Sequence, residues 1–204
     1  MFITFEGIDY SGKSTQVRLL EEYYQNLGKE VLLIREPGGT KISEKIRDLL
    51  LDKKNMVMTE KTEALLFAAA RAQLVNEVIK PALERGAIVI SDRFHHSSIA
   101  YQGYGRNLDL HFVENLQYFA ISDTVPDITF FIHITLDEVA RRKMENNRGG
   151  DDRIELSKDE FYHKVIDGYI KLSESDPKMK LIDGTKRIKT IHSDIVDILN
   201  SLSA

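Results

Sequence analysis

The chain has 204 residues, 42% of them hydrophobic and 29% charged, which predicts one ordinary globular domain and excludes overall disorder. It contains no cysteine, so a disulfide framework, a thiolate metal site and a cysteine nucleophile are excluded, as is usual in a reducing cytoplasm. The net charge of −4 argues against a general nucleic-acid-binding protein. The sequence shows neither a signal peptide nor an apolar run of the roughly 18 residues that a membrane span needs. We therefore expect a cytoplasmic protein without membrane contact.

Apolar runs and helical patterns alternate along the chain. The apolar runs predict five strands, at residues 2–5, 31–34, 87–91, 128–134 and 179–182. Helical spacing predicts helices over 14–26, 42–51, 62–85, 109–122 and 188–202, with Pro81 bending or interrupting the long one. Two further helices are expected to begin at capping boxes, one at Thr135–Glu138 and one at Ser157–Glu160 that ends near Asp176.

This alternation is typical of a doubly wound α/β protein. The run Ile128–Ile132 is almost continuously apolar, as expected for a parallel strand that is buried on both faces. We therefore predict a five-stranded parallel sheet flanked by helices, in a single domain spanning 1–204. The polar, glycine-containing stretch 146–152 lies between two predicted helices, and we place a short lid there, at about 141–155.

The strongest motif is Gly7–Ser14, which fits the phosphate-loop pattern G-x-x-x-x-G-K-[ST] between a predicted strand and a predicted helix. Glycines let several backbone N–H groups point into one concavity, and the helix N-terminus adds partial positive charge. Lys13 is expected to reach the outer phosphates and Ser14 to ligate Mg²⁺. The alternative is a glycine-rich turn without a ligand. The sequence has no guanine-reading N-K-x-D motif, which argues against a regulatory GTPase.

Five further motifs follow the phosphate loop. They are Arg35–Thr40 (REPGGT), Phe67–Arg71 (FAAAR), Asp92–Arg93, Ser97–Gly103 (SSIAYQG) and Asp151–Glu155 (DDRIE). In this order and spacing they resemble the thymidylate kinase family of P-loop nucleoside monophosphate kinases, over nearly the whole chain. The resemblance implies transfer of the γ-phosphoryl group of ATP to dTMP with Mg²⁺, giving dTDP and ADP in dTTP biosynthesis. It also implies a homodimer formed through helices.

The resemblance implies a donor site around the phosphate loop. The donor-binding residues are Gly7, Ile8, Asp9, Tyr10, Ser11, Gly12, Lys13, Ser14, Thr15 and Arg153. Ser14 and Asp92 are the expected metal-site residues. By resemblance, Asp9 contacts the 3′-hydroxyl of dTMP and helps to place Mg²⁺.

The resemblance also implies an acceptor site at the carboxyl ends of the strands, where open α/β sheets bind ligands. Its residues are Asp9, Arg35, Glu36, Pro37, Phe67, Arg71, Arg93, Ser97, Ser98, Tyr101 and Gln102. A planar guanidinium suits phosphate recognition, and by resemblance Arg93 grips the acceptor phosphate. Phe67 and Arg71 are four residues apart and share a helix face. Taken alone, Phe67 would more often be a core residue; the resemblance assigns stacking on thymine to Phe67 and hydrogen bonding of thymine to Arg71. Tyr101 is expected to pack under the deoxyribose and exclude a 2′-hydroxyl.

Phosphoryl transfer needs positioning and positive charge more than covalent help. Some thymidylate kinases carry an arginine in the phosphate loop, where this chain has Tyr10, so it resembles the subclass in which a lid residue supplies the charge. We expect Arg148 to be that residue and Arg153 to organise the closed lid or bind the donor; the alternative is a solvated basic surface. The expected catalytic residues are Lys13, Arg93, Arg148 and Asp9.

Two other functions remain open from the sequence. One is a kinase for another nucleotide or a deoxynucleoside, and the other is a nucleotide-binding regulatory module without turnover. The adjacent pair His95 and His96 does not indicate a metal site, because neighbouring residues do not normally converge on one ion.

Overall fold

A computed structural model describes residues 1–145 and 152–202. Its sheet is built from β1 (Phe2–Glu6), β2 (Val31–Arg35), β3 (Ile88–Asp92), β4 (Ile128–His133) and β5 (Met179–Asp183). The strand order across the sheet is β2-β3-β1-β4-β5, and every pairing is parallel. The predicted five-stranded parallel sheet is thereby confirmed.

The helices lie in the connections between strands. They are α1 (Lys13–Asn26), α2 (Lys41–Leu51), α3 (Glu60–Leu74), α4 (Lys80–Glu84), α5 (His95–Ser98), α6 (Leu110–Ile121), α7 (Leu136–Glu145), α8 (Asp159–Ser175) and α9 (Ile188–Leu202). A 3₁₀ turn covers Lys53–Asn55, and π-helical segments cover Val75–Ile79 and Ile99–Gly105. Within the described parts of the chain, every helix is too short or too polar to cross a bilayer.

The core lies on both faces of the sheet. On one face Phe5 and Phe130 pack against α1 and α9, which contribute Leu20 and Ile195. On the other face Phe131 packs in a cluster with side chains of α8. Because both faces are covered, the central strands are mostly apolar, and charged side chains gather where the strands end.

One local prediction was wrong and two were confirmed. The long helix expected over 62–85 is interrupted just before Pro81, by a π-helical segment at Val75–Ile79 after which the N–H of Lys80 donates to the carbonyl oxygen of Val75. Pro81 follows directly and has no N–H to donate to the preceding turn. Ser157 does not cap α8: the N-cap position is Lys158 without a side-chain cap, and the Ser157 hydroxyl accepts from Arg106. The hydroxyl of Thr135 does accept from the backbone N–H of Glu138, at 3.3 Å, as predicted.

Candidate active site

The phosphate loop connects β1 to α1 and depends on glycine at its first position. Gly7 has a φ of +135°, and a Cβ atom there would lie 2.5 Å from the carbonyl oxygen of Ile132 on β4. Gly12 has a φ of +99° and is the residue before α1, whose N-terminus faces the loop. Only glycine meets both the close approach and the left-handed backbone without strain. The loop therefore curls tightly around the end of α1.

Lys13 is buried beneath this loop. It is 5% exposed, and its Nζ donates to the carbonyl oxygen of Ile8 at 2.9 Å. Burial, and to a smaller extent the charge of Arg93, lower the pKa of Lys13 to about 8, although the carboxylate of Asp92 opposes the shift. A polyanion bound in the loop would favour the charged ammonium and raise this pKa again.

Two oxygen-bearing side chains meet at the mouth of the loop. The hydroxyl of Ser14 donates to Oδ2 of Asp92 at 2.6 Å. Residues 1–145 and 152–202 contain no group of three or more His, Cys, Asp or Glu side chains with metal-site geometry. A hydroxyl and a carboxylate nevertheless fit Mg²⁺, which commonly takes one or two protein oxygens and completes its shell with phosphate oxygens and water.

Arg93 lies at the junction of β3 and α5, beside the phosphate loop. Its backbone is left-handed, with a φ of +73°. Nη1 donates to the carbonyl oxygen of Gly7 at 2.8 Å, and Nη2 donates to Oδ1 of Asp9 at 2.9 Å. The guanidinium carbon lies 5.2 Å from the centre of the Tyr101 ring. These contacts bring the expected acceptor residues Asp9, Arg93 and Tyr101 together.

Arg71 from α3 is held by hydrogen bonds on every side of its guanidinium. Nε donates to Glu36 at 2.7 Å. Nη1 donates to the Ser98 hydroxyl at 3.0 Å and to the side-chain oxygen of Gln117. Nη2 donates to the carbonyl oxygen of Phe94 at 3.0 Å. Burial raises the pKa of Glu36 to about 7, and Arg71 opposes that shift. The result is an immobile cationic group at the wall of the cavity.

The predicted residues converge on a cavity of about 700 Å³. Its lining includes Asp9, Tyr10, Gly12, Lys13, Ser14, Thr15, Arg35, Glu36, Pro37, Phe67, Arg71, Asp92, Arg93, Ser97, Ser98, Tyr101 and Gln102. The remaining loop residues, Gly7, Ile8 and Ser11, shape the loop from behind the lining. Sequence reasoning missed four lining residues: Arg47, Leu51, Asp152 and Ile154.

Comparison with known proteins identifies the family to which this fold belongs. The family model of thymidylate kinase matches residues 5–195. A thymidylate kinase of Thermosipho melanesiensis is 50% identical over 202 residues, covering 99% of this chain and 98% of that protein. A thymidylate kinase of Fervidobacterium nodosum is 47% identical over 201 residues, covering 98% of this chain and 99% of that protein. The crystal structure of thymidylate kinase from Ehrlichia chaffeensis matches with a TM-score of 0.80 at 36% identity and 98% coverage of both chains.

The chain belongs to the thymidylate kinase family. It is therefore an enzyme, a nucleoside monophosphate kinase that takes its phosphoryl group from a nucleotide. The resemblance stated from the motifs is confirmed over nearly the full length, and so is the α/β fold with the phosphate loop after β1. The matches do not address individual side chains, so the roles of the lining residues stay predictions.

Outside the phosphate loop, the expected residue Arg153 of this thymidylate kinase family member lies apart from the cavity lining. Arg153 is buried behind the wall, where Nε donates to the carbonyl oxygen of Leu50 at 2.6 Å and Nη2 donates to Glu63 at 2.7 Å. Arg148 lies outside the described residues, and its predicted catalytic role rests on the sequence. The structure thus ties the chain that follows residue 151 to α2 and α3.

Two further arginines contact the site, although no local motif singles them out. Arg47 of α2 donates to the carbonyl oxygen of Pro37 at 2.9 Å, next to Arg35, which donates to the same oxygen at 3.0 Å. Arg142 of α7 donates to the carbonyl oxygen of Tyr10 at 3.0 Å. Both arginines occur in ordinary charged helix surfaces, so only the tertiary contacts distinguish them from solvated side chains.

Proposed function

We propose that this enzyme phosphorylates dTMP to dTDP with ATP and Mg²⁺, in dTTP synthesis, and that both nucleotides meet in the 700 Å³ cavity. Family membership establishes the class of reaction. The observation that carries the residue assignment is the shared cavity, because the phosphate loop and the side chains suited to a pyrimidine nucleotide open into the same space. In-line transfer requires that arrangement.

The phosphate loop and α1 hold the donor. Backbone N–H groups of the loop and the N-terminus of α1 bind the phosphates of ATP, and the Lys13 ammonium pairs with the outer ones. Ser14 and Asp92 would hold Mg²⁺ between them. When bound, the cation offsets the negative charge of the phosphates and of the transferred group. The loop glycines matter because a side chain at Gly7 would clash with the carbonyl oxygen of Ile132, and because Gly7 and Gly12 both have positive φ angles that other residues rarely adopt.

The opposite wall holds the acceptor. Arg93 binds the 5′-phosphate of dTMP, with Arg35 as a second cation, and Asp9 holds Arg93 in place while contacting the 3′-hydroxyl. Phe67 stacks on thymine, and Arg71 and Ser98 hydrogen-bond its edge. Tyr101 packs under the sugar. Charge-assisted bonds to the phosphate and contacts to the base together select a pyrimidine deoxynucleotide.

The reaction then needs little proton transfer. An oxygen of the dTMP phosphate, already ionised near neutral pH, attacks the γ-phosphorus; the bond from that phosphorus to the β-bridging oxygen breaks, and ADP leaves. Lys13 and Arg93 stabilise charge at the two ends of this transfer. We propose that Arg148 adds the remaining positive charge from the lid, as predicted from the sequence.

A panel of acceptors tests this function. ADP release is coupled to a spectrophotometric assay with dTMP, dUMP, dCMP, dGMP, AMP and thymidine, each at saturating Mg²⁺ and ATP. We expect dTMP to have the highest kcat/KM. A preference for dCMP, AMP or thymidine would replace the substrate assignment, and tight ATP binding without any turnover would favour the regulatory module.

The homodimer stays a proposal, and an exposed apolar face supports it. Leu65 on α3 and Phe112 and Phe119 on α6 are exposed, and these two helices pack against each other. Sedimentation equilibrium should give twice the chain mass, and Phe119→Asp should reduce it to one chain. A wild-type protein that stays monomeric at assay and micromolar concentrations would refute the dimer.

A further inference from the structure

The last residue of β1, Glu6, is a carboxylate with no exposed surface. It lies directly before the phosphate loop and opposite Phe131 in the register of β1 with β4. An ionised carboxylate inside a protein is costly unless every lone pair is satisfied. Its contacts therefore indicate what this buried charge holds in place.

Four donors satisfy Glu6, and three of them come from the residues just after Arg93. Oε1 accepts from the backbone N–H of Phe94 at 2.8 Å and from that of Ser97 at 3.2 Å. Oε2 accepts from the Ser97 hydroxyl at 2.5 Å and from the Tyr169 hydroxyl at 2.8 Å. One side chain thus clamps the backbone from 94 to 97 against the end of β1.

Arg93 is held between this clamp and the phosphate loop. Its Nη1 donates to the carbonyl oxygen of Gly7, the residue after Glu6, at 2.8 Å, and to the Ser97 hydroxyl at 3.4 Å. Arg93 also has a left-handed backbone, which is unfavourable for a residue with a side chain and persists only when the surroundings impose it. Glu6 bonds both to the residue that follows Arg93 and to the hydroxyl that its guanidinium contacts.

We infer that Glu6 is a positioning residue for Arg93: its buried carboxylate fixes Phe94 and Ser97 so that the guanidinium points into the cavity toward the acceptor phosphate. Glu6 acts together with Asp9, which accepts from Nη2 of Arg93 at 2.9 Å. Two further contacts hold the backbone of Arg93: its N–H donates to the carbonyl oxygen of Phe5 at 2.9 Å, and its carbonyl accepts from Ser91 at 2.6 Å. The inference rests on the proposed function, in which Arg93 binds the phosphate of dTMP.

A role through Arg93 has a specific consequence: losing Glu6 should weaken recognition of the phosphate and leave recognition of the nucleoside unchanged. Glu6→Gln keeps the size and one acceptor oxygen, but its amide nitrogen cannot accept the two hydroxyl donors. We expect the affinity for dTMP to fall about tenfold or more, the range of one charge-assisted hydrogen bond, and that for thymidine to stay constant.

The matched control is Thr4→Val. Thr4 lies two residues earlier on β1, is equally buried, and shares its side-chain hydrogen bond of 2.7 Å with Thr129 on β4. The five proteins to compare are wild type, Glu6→Gln, Arg93→Ala, the double variant and Thr4→Val. For each, we measure equilibrium binding of dTMP directly and of thymidine by competition. A urea unfolding curve for each protein checks that it is folded. Ser97→Ala, which removes the hydroxyl between Glu6 and Arg93, provides the same test should Glu6→Gln fail to fold.

The outcomes separate the inference from the proposed function. The positioning role is supported if Glu6→Gln loses affinity for dTMP but not for thymidine, and if the double variant binds dTMP no more weakly than Arg93→Ala alone. The positioning role is overturned if Glu6→Gln loses affinity equally for dTMP and thymidine. It is also overturned if Glu6→Gln keeps its affinity for dTMP while Arg93→Ala loses it. Unchanged dTMP binding in Arg93→Ala refutes the phosphate site itself, and the positioning role falls with it.

Discussion

The hydroxyl of Ser14 donates to Oδ2 of Asp92 at 2.6 Å, although 78 residues separate them. They meet because β1 and β3 are neighbours in the sheet, so the loop after β1 lies against the end of β3. This pair brings a neutral oxygen and a charged oxygen to the place where the donor phosphates are proposed to bind. The negative charge at this place comes from Asp92.

Asp92→Asn should weaken the use of Mg²⁺. The amide oxygen can still accept from Ser14, but the site loses its negative charge, so the Mg²⁺ concentration for half-maximal rate should rise about tenfold or more. KM for dTMP should change little. The measurement is a Mg²⁺ titration of ADP release, with Asp123→Asn as the control because Asp123 is exposed and pairs with Lys80. An unaltered Mg²⁺ curve would remove Asp92 from the metal site.

The pKa of Lys13, lowered to about 8 by burial, predicts proton uptake on donor binding. In the enzyme without ATP, the Lys13 side chain is mostly protonated near pH 7. Near pH 8.5 much of it is neutral, and it must gain a proton to pair with phosphate. ATP affinity should therefore decrease as pH rises above about 8. Calorimetry in buffers of different ionisation enthalpy measures the uptake, and Lys13→Arg should abolish it. Equal uptake in wild type and Lys13→Arg would assign the proton to another group.

Glu63 should be a major contributor to stability. This buried carboxylate accepts from Gln102, from Arg106 and from Arg153, at 2.9, 3.2 and 2.7 Å. Glu63→Gln leaves two arginines without their counter-charge, so unfolding free energy should fall by about 3 kcal/mol in urea titrations. The control, Glu30→Gln in the exposed pair with Arg85, should cost at most about 1 kcal/mol. Similar costs for both variants would contradict the prediction.

The pKa of Glu63 indicates how its contribution to the free energy of unfolding changes with pH. Burial alone would raise the pKa of Glu63, but hydrogen bonds and charge from Arg106 hold it below the ordinary value of 4.5. The folded state therefore binds this proton less readily than the unfolded state, so the contribution is complete above pH 4.5 and is lost as pH falls through the folded pKa. The difference in stability between wild type and Glu63→Gln should accordingly shrink in acid. A difference independent of pH would show that charge is not its source.

Arg148→Ala should lower kcat by about a thousandfold while KM for dTMP barely changes, because such arginines act on charge that develops in the transition state. The control is Arg141→Ala, since Arg141 on α7 is exposed and pairs with Glu138 and Glu145. Steady-state rates of ADP release measure both variants. A rate within a few-fold of wild type would exclude Arg148 as the catalytic cation.

Some features of this protein were determined by contiguous sequence. The phosphate loop needs only its own glycines, Lys13 and the flanking strand and helix, all within neighbouring residues, and the apolar runs define the strands because both sheet faces are covered. The motifs around Arg71 and Arg93 led to the thymidylate kinase family before any contact was known. The five strands and the family assignment were confirmed, whereas the residue roles stay predictions.

Tertiary structure decided the rest. Glu6, Glu63 and Gln117 look like ordinary polar residues in the sequence. They became important because the fold buries them beside hydrogen-bond partners 39 or more residues away. Ser157 shows where a local pattern fails: its spacing to Glu160 fits a capping box, but its hydroxyl accepts from Arg106 and does not cap α8. Local hydrogen bonds and side-chain periodicity depend on neighbouring residues and can be predicted from them. The partner of a buried charge depends on which strands and helices become neighbours, and only the folded chain decides that.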